Sequence, residues 1–235
     1  MKGKEYSVDQ ASGFLKERME GLRETRWWII TGGPHTGKSS VIKNLAERGY
    51  KTVQEAARNE IESGFDKGRT IEEIRADEVE FQRRVLRVKE NREDNVPEEE
   101  LVFWDRGLHG DSAAYWMQTK GPNGTTVDQF DYYETVSVLR RRYKGIFLLD
   151  QLPFYQKDEA RVEDREQGRR IHLLIGSIYS ILGYEPISVP VFPGSKIASI
   201  NQRAQFIIDQ VRKADVNVPN FPYPFPIPAQ STLSI

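Results

Sequence analysis

The sequence predicts a doubly wound α/β fold, a five-stranded parallel sheet flanked by helices, and three observations predict it. Short apolar runs alternate with helix-periodic stretches from residue 26 to about 212, which is the order that builds successive βαβ units. One run, Ile146-Phe147-Leu148-Leu149, is wholly apolar, as a strand covered on both faces must be. The first run ends at a glycine pair, Gly32-Gly33, and a helical pattern opens a few residues later.

Taken in order, residues 5–25 set Phe14, Leu15, Met19 and Leu22 at helical spacing among charges, so a leading helix is expected. Trp27 to Thr31 is the first strand. Val41, Ile42, Leu45 and Ala46 share one face of a helix from Ser39 to Arg48, and Gly49 suits its C-terminal cap. Tyr50 to Gln54 reads as the second strand, followed by a helix from Glu55 to Ser63. Residues 71–94 carry Ile71, Ile74, Val79, Phe81, Val85, Leu86 and Val88 in a charged background, predicting one long, mostly exposed helix. Leu101 to Trp104 is the third strand and ends at Asp105. A helix (Ser112 to Thr119), a Gly/Pro/Asn loop (Gly121 to Thr125) and another helix (Asp128 to Tyr143) follow, and then the fourth strand at 146–149. A charged segment from Tyr155 to Arg170 leads into a helix rich in Ile and Leu. Pro186 to Val189 is the fifth strand, and a last helix spans Ser199 to Lys213. The tail from Pro219 to Pro228 alternates proline with Phe, Tyr and Ile, which forbids helix and favours extended polyproline II.

Composition removes several classes of function. There is no cysteine, so disulfides and thiolate metal sites are excluded and a reducing compartment is expected. Thirty-four basic and 35 acidic residues leave a net charge of −1, which argues against a nucleic-acid partner, since that needs a basic face. The run Arg140-Arg141-Arg142 reads as a solvated helix face, with phosphate contact as its functional alternative. No apolar run approaches the ~20 residues of a membrane span. Met1 to Glu5 has no apolar stretch behind it, which argues against a secretory leader and for a cytoplasmic protein. His35, His109 and His172 lack cluster spacing, so no structural metal is assigned. A homo-oligomer is left open.

The chemistry is carried by Gly32-Gly33-Pro34-His35-Thr36-Gly37-Lys38-Ser39, which matches G-x-x-x-x-G-K-[ST]. At a glycine frequency near ~7%, a chance match in a chain of this length is on the order of one in a hundred. The motif also follows an apolar strand and opens an amphipathic helix, as its mechanism requires. Glycines let successive main-chain N–H groups curl around phosphate oxygens, and the helix N-terminus adds partial positive charge. The loop, with Ser40 behind it, is therefore read as binding a nucleoside triphosphate. Lys38 would reach the β- and γ-phosphates and the Ser39 hydroxyl would coordinate Mg²⁺.

A phosphate-binding loop does not name a reaction; the carboxyl ends of the other strands must supply it. Asp105 ends strand three in Trp104-Asp105-Arg106-Gly107, and Glu55 follows strand two in Gln54-Glu55-Ala56-Ala57-Arg58. A carboxylate there holds the metal through water or takes a proton from an attacking hydroxyl. The plain alternatives are a helix cap or a surface ion pair. Arg58 and Arg106 each come shortly after one of these carboxylates, placed to hold an acceptor or offset developing charge. Arg161, Arg165, Arg169 and Arg170 lie between strands four and five, where a closing segment would shield transfer from water.

The order of P-loop, Glu55-Ala56-Ala57-Arg58, then Asp105-Arg106-Gly107 with Asp111 and Tyr115, resembles the AAA-like P-loop family that includes the nicotinamide riboside kinase domain of NadR proteins. More loosely, it is similar to thymidylate and deoxynucleoside kinases. Tyr155-x-x-Asp158-x-x-Arg161-x-Glu163 and the stretch from Leu182 to Pro190 look similar to that family's closing segment and final strand. The likeness covers roughly residues 26–212, and only the P-loop is specific by itself. It implies a P-loop NTPase fold in which Lys38 and Ser39 hold the nucleotide and Mg²⁺, Glu55 serves as base, and Asp105 and Arg106 flank the phosphates. From their positions in the chain, Arg161 and Arg165 are candidates to contact the nucleotide and Asp105 to join Ser39 at the metal. His35 departs from the small residues commoner at its position, and the leading helix and proline tail lie outside the pattern.

The chain is accordingly divided into an N-terminal helical extension (1–25), a P-loop kinase-like domain (26–215) and a Pro/aromatic tail (216–235). The expected activity is Mg²⁺-dependent phosphotransfer from ATP, with GTP left open, to a small nucleoside-like hydroxyl acceptor held by Glu55, Arg58, Asp105 and Arg106. Phe81, Tyr115, Trp116 and Tyr132 are candidates for stacking on a base. The alternatives are a nucleotide-dependent switch without a small acceptor and a nucleic-acid end kinase. No Asn-Lys-x-Asp guanine-reading motif occurs in the chain.

Overall fold

The computed structural model describes residues 21–118, 140–153 and 165–218. A five-stranded, all-parallel sheet has the order β3-β4-β2-β6-β7. Its strands are β2 (Trp27–Thr31), β3 (Lys51–Val53), β4 (Val102–Asp105), β6 (Gly145–Leu149) and β7 (Ile187–Val189). The chain leaves β2 at the centre, winds to β3 and back to β4, then crosses to β6 and β7. The order therefore reverses at β2, and the crevice at that reversal is where such sheets bind ligands.

Period-two alternation explains how the sheet is covered. On β2, Trp27 and Ile29 face one core with Val102, Trp104 and Ile146. That core is completed by Ala113 and Ala114 of α5 (His109–Gln118) and Ile171, Ile175 and Ile178 of α6 (Arg165–Ile181). Trp28 and Ile30 face the other core, formed by Val41, Ile42 and Leu45 of α1 (Lys38–Glu47) and Ala204, Ile207 and Ile208 of α7 (Lys196–Ala214). All five β2 residues are buried. A strand this dry on both sides fixes the loop that leaves it.

A third, smaller core packs Ala56 and Ile61 of α2 (Ala56–Phe65) and Ile74 of α3 (Ile71–Ile74) against Phe81 and Val85 of α4 (Glu78–Asp94). The single helix expected over 71–94 is thus two. Thr70 and Glu73 form a capping box for α3, which ends at Arg75. The Asp77 carboxylate then accepts from the Glu80 N–H and starts α4; an N-cap inside the pattern restarts the helix rather than continuing it. Nor is α4 mostly exposed, because Gln82, Leu86, Lys89 and Glu93 are buried with its apolar stripe.

Two further expectations change at the sheet's edge. Arg23–Glu24 (β1) and Arg141–Arg142 (β5) pair as a short parallel ribbon, where the ends of two helices were expected. Arg141 is 7% exposed, bound to Asp94 and Glu98 and set over the Trp27 ring. Its charges are satisfied locally, so this position is not a solvated helix face. Gly49 does end α1 in the left-handed region, at φ 90°, as a C-terminal cap glycine does. Residues 5–20, the 121–125 loop, most of the helix expected at 128–143, the 155–164 segment and the proline tail lie outside the described residues. No helix among the described residues is long and apolar enough to cross a membrane.

Gly145 faces Trp28 in the β2–β6 register, and a Cβ there would fall 2.4 Å from the indole ring. Gly145→Ala is expected to lower stability by about 1–3 kcal/mol through overpacking, read as a lower urea midpoint. An unchanged midpoint would show that the indole has room to yield.

Candidate active site

The loop between β2 and α1 is held by its carbonyl groups. The Gly32 oxygen accepts from Arg106 Nη1 at 3.1 Å, and the Gly33 oxygen accepts from Lys38 Nζ and Thr36 Oγ1, each at 3.0 Å. The His35 oxygen accepts from the Leu152 N–H at 3.2 Å, and the Thr36 oxygen from Arg203 Nη1 at 2.6 Å. In a trans peptide the C=O and the next N–H point to opposite sides, so each anchored carbonyl sets the direction of an amide. Three residues of the loop have positive φ, Gly32 at 140°, His35 at 63° and Gly37 at 79°. The value at His35 is unusual for a residue with a side chain. The anchored carbonyls fix the peptide planes that lead into α1.

At the end of β4 the chain makes a second strained turn, with Arg106 at φ 69°. Its guanidinium meets Glu55 Oε1 at 2.5 Å and Asp111 Oδ1 at 2.9 Å, and lies over the Tyr115 ring. Glu55 occupies the N-cap position of α2, yet its side chain makes no capping bond; it turns to Arg106 instead. Burial would raise the Glu55 pKa, but Arg106 and then Lys38 outweigh it and hold the carboxyl at about 2. Asp105 behaves oppositely. Burial and the charge of Glu55 push it up to about 7, and its Oδ1 has no hydrogen-bond partner. It is neither a helix cap nor a surface ion pair. Asp111 binds Thr31, Arg106, the Gly107 N–H and Tyr179, which fixes the 106–111 turn.

A cavity of about 360 Å³ joins these parts. Its lining includes Pro34, His35, Gly37, Lys38, Ser39 and Ser40 of the loop and α1, the charged residues Glu55, Arg58 and Arg106, and Ile61, Phe81, Gln82, Val85, Lys89 and Tyr115. Gly32, Gly33, Thr36 and Asp105 are buried and do not line it. Arg58 reaches the cavity but also pairs with Glu62 and is 45% exposed. Arg165, expected at the nucleotide, is exposed on the first turn of α6 and does not line the cavity. Gly168, Ile171, Ile175 and Tyr179 take the buried face of that helix and turn Arg165, Arg169 and Arg170 outward. Arg161, Tyr132 and the Trp116 side chain lie outside the described residues.

Lys89 is the residue that the sequence reading missed here. Its ammonium is buried and donates to the Gly107 oxygen at 2.9 Å and to Ser112 Oγ at 3.0 Å, and burial lowers its pKa to about 8. One turn on, Glu93 accepts from Tyr143 Oη at 2.5 Å, and burial raises its pKa to about 7. Both continue the stripe of Phe81 and Val85 at four-residue steps, and charges on an apolar stripe were the available signal. Because Glu93 is harder to ionise in the folded state, its contribution to stability is complete below about pH 4.5. That contribution is lost as pH rises through about 7. Glu93→Gln, neutral throughout, is expected to gain a few degrees in Tm over the parent chain between pH 5 and pH 8. A difference that stays flat across that range would refute the perturbed carboxyl.

Comparison with known proteins adds the lineage. The family described as "AAA domain" matches residues 27–196, and no curated protein matches. Among solved structures, NadR in complex with NR is similar, with a TM-score of 0.58 at 17% identity, over 89% of this chain and 56% of that one. NadR with NAD and AMP-PNP gives a TM-score of 0.52 at 16% identity, over 89% and 54% of the two chains. Deoxyadenosine kinase from M. mycoides gives 0.54 at 13% identity, over 80% of this chain and all of that one. The chain thus spans little more than half the length of the NadR chains it resembles. The likeness to these structures is one of fold, and it agrees with the family match. With the match running from the first strand of the sheet to the first residue of α7, this chain belongs to the AAA domain family.

Proposed function

We propose that the chain is a Mg²⁺-dependent phosphotransferase that passes the terminal phosphoryl group of ATP, or of GTP, to a hydroxyl of a small nucleoside-like acceptor. The observation that carries this reading is the position of Glu55. A carboxylate held ionised by Arg106 lines the same cavity as Gly37, Lys38 and Ser39 of the loop and the rings of Phe81 and Tyr115. A planar acceptor resting on these rings would share that cavity with Glu55 and the terminal phosphate. Phosphoryl transfer needs little else from the protein than in-line positioning and dispersal of charge.

In this reading Lys38 and Arg106 draw off charge from the phosphoryl group, and Glu55 orients the acceptor hydroxyl and takes its proton. The donor set suits magnesium. Ser39 offers a hydroxyl at the lip, and Asp105, whose carboxyl carries an orphaned buried oxygen, would bind through water. Magnesium held there would supply positive charge to offset that of the phosphates. Arg58 is assigned to the acceptor, and Arg161 is assigned to closure over the triphosphate. The cavity's aromatic walls, together with neighbours solved with NR and with dCMP, support a nucleoside-like acceptor.

The test is ADP release from ATP, with and without a panel of nucleosides. The correct acceptor should stimulate release, and Glu55→Gln or Asp105→Asn should cut kcat by about 10²–10⁴ while triphosphate affinity holds. Lys38→Ala should remove magnesium-dependent triphosphate uptake in calorimetry, and Arg161→Ala should depress kcat more than affinity. If no acceptor stimulates release, the phosphotransferase reading fails and a nucleotide-dependent switch replaces it.

A further inference from the structure

Arg203 lies on α7, 2% exposed, and the sequence gives no hint of a role for it. Its guanidinium meets four main-chain oxygens. Nη1 donates to Thr36 at 2.6 Å, Nη2 to Asp150 at 2.7 Å and to Val189 at 3.3 Å, and Nε to Pro190 at 2.9 Å. A buried arginine ordinarily finds a carboxylate or a phosphate. This one gathers the P-loop, the end of β6 and the end of β7, three segments that are far apart in sequence.

We propose that Arg203 is a positioning residue for the triphosphate donor. By holding the Thr36 carbonyl it aims the Gly37 N–H toward the donor's phosphates, and it ties that setting to the segment that follows β7. This rests on the reading of the loop as the donor site. Three features support it. No described peptide is cis, so the Thr36 C=O and the Gly37 N–H face opposite ways, and Gly37 borders the cavity. The segment held through Pro190 runs on to Lys196, which lines the same cavity. Leu152, two residues beyond the Asp150 carbonyl, also lines the cavity and donates to His35 of the loop. A lysine could not copy this arrangement, because an ammonium lacks the planar fork that reaches several carbonyls at once.

The experiment compares Arg203→Lys and Arg203→Met with Arg48→Met. Arg48 links α1 to the same helix through Gln205 and the Asn201 carbonyl. It therefore controls for loss of α7 packing without touching the loop. Both Arg203 variants should weaken MgATP binding at least ten-fold in calorimetry and leave the acceptor KM within two-fold. A third variant, Arg203→Ala, should show the same loss, and millimolar guanidinium should recover part of it. Arg48→Met should lower Tm without changing MgATP affinity. Nucleotide-free crystals of Arg203→Lys, the gentlest change, should show the Thr36–Gly37 peptide rotated. Two outcomes would overturn the proposal. One is MgATP affinity within two-fold of the parent in a folded Arg203 variant whose peptide is unmoved. The other is an equal affinity loss in Arg48→Met. If the parent chain itself takes up no triphosphate, the donor-site reading falls, while the peptide's orientation in Arg203→Lys still decides what Arg203 does.

Discussion

The loop proposed to receive the triphosphate can serve as a main-chain cup only if its carbonyl oxygens are held elsewhere, and its four anchored carbonyls meet that requirement. Left without a partner, a buried carbonyl costs about 1–3 kcal/mol. Turned inward, it would repel the anion. Arg106, Lys38, the Leu152 N–H and Arg203 hold the oxygens of Gly32, Gly33, His35 and Thr36. Those donors come from the end of β4, from α1, from beyond β6 and from α7. The sheet order therefore does more than bury side chains: it brings donors from beyond both strands that flank β2, and from α7, to a single loop.

The same economy of charge appears one layer below. Glu55, Asp105, Arg106 and Asp111 crowd into a buried turn where burial by itself would neutralise all the acids. Arg106 divides them. It sits against Glu55 and Asp111, which stay ionised, while Asp105 is left with burial and the field of Glu55 and rises to about 7. Two neighbouring carboxyls are thereby shifted in opposite directions. Such a split is a physical basis for separate roles.

Much of this could be read from the sequence because it follows from local rules. The P-loop, the five strands, the Gly49 cap and the carboxylates at strand ends each follow from periodicity or spacing within a few residues. What escaped depends on partners distant in the chain. Lys89 and Glu93 look like solvent-facing residues until the 106–112 turn and Tyr143 arrive to bind them. Arg141 looks like part of a basic face until Asp94 and Glu98 enclose it. Arg203 is one charge among several on an amphipathic helix, and its four acceptors come from three other segments. Breaking the 71–94 helix at Arg75–Asp77 was legible in principle, since Thr70 and Asp77 are both N-cap types.

The meeting of α6 with the P-loop has a mechanical consequence. A methyl on Gly33 would fall 2.5 Å from the Gly168 carbonyl, and the Gly33 N–H already donates to His172 Nδ1 at 3.3 Å. Helix and loop thus meet so closely that only glycine fits at position 33, and any separation of the two would release the Gly33 amide from the imidazole.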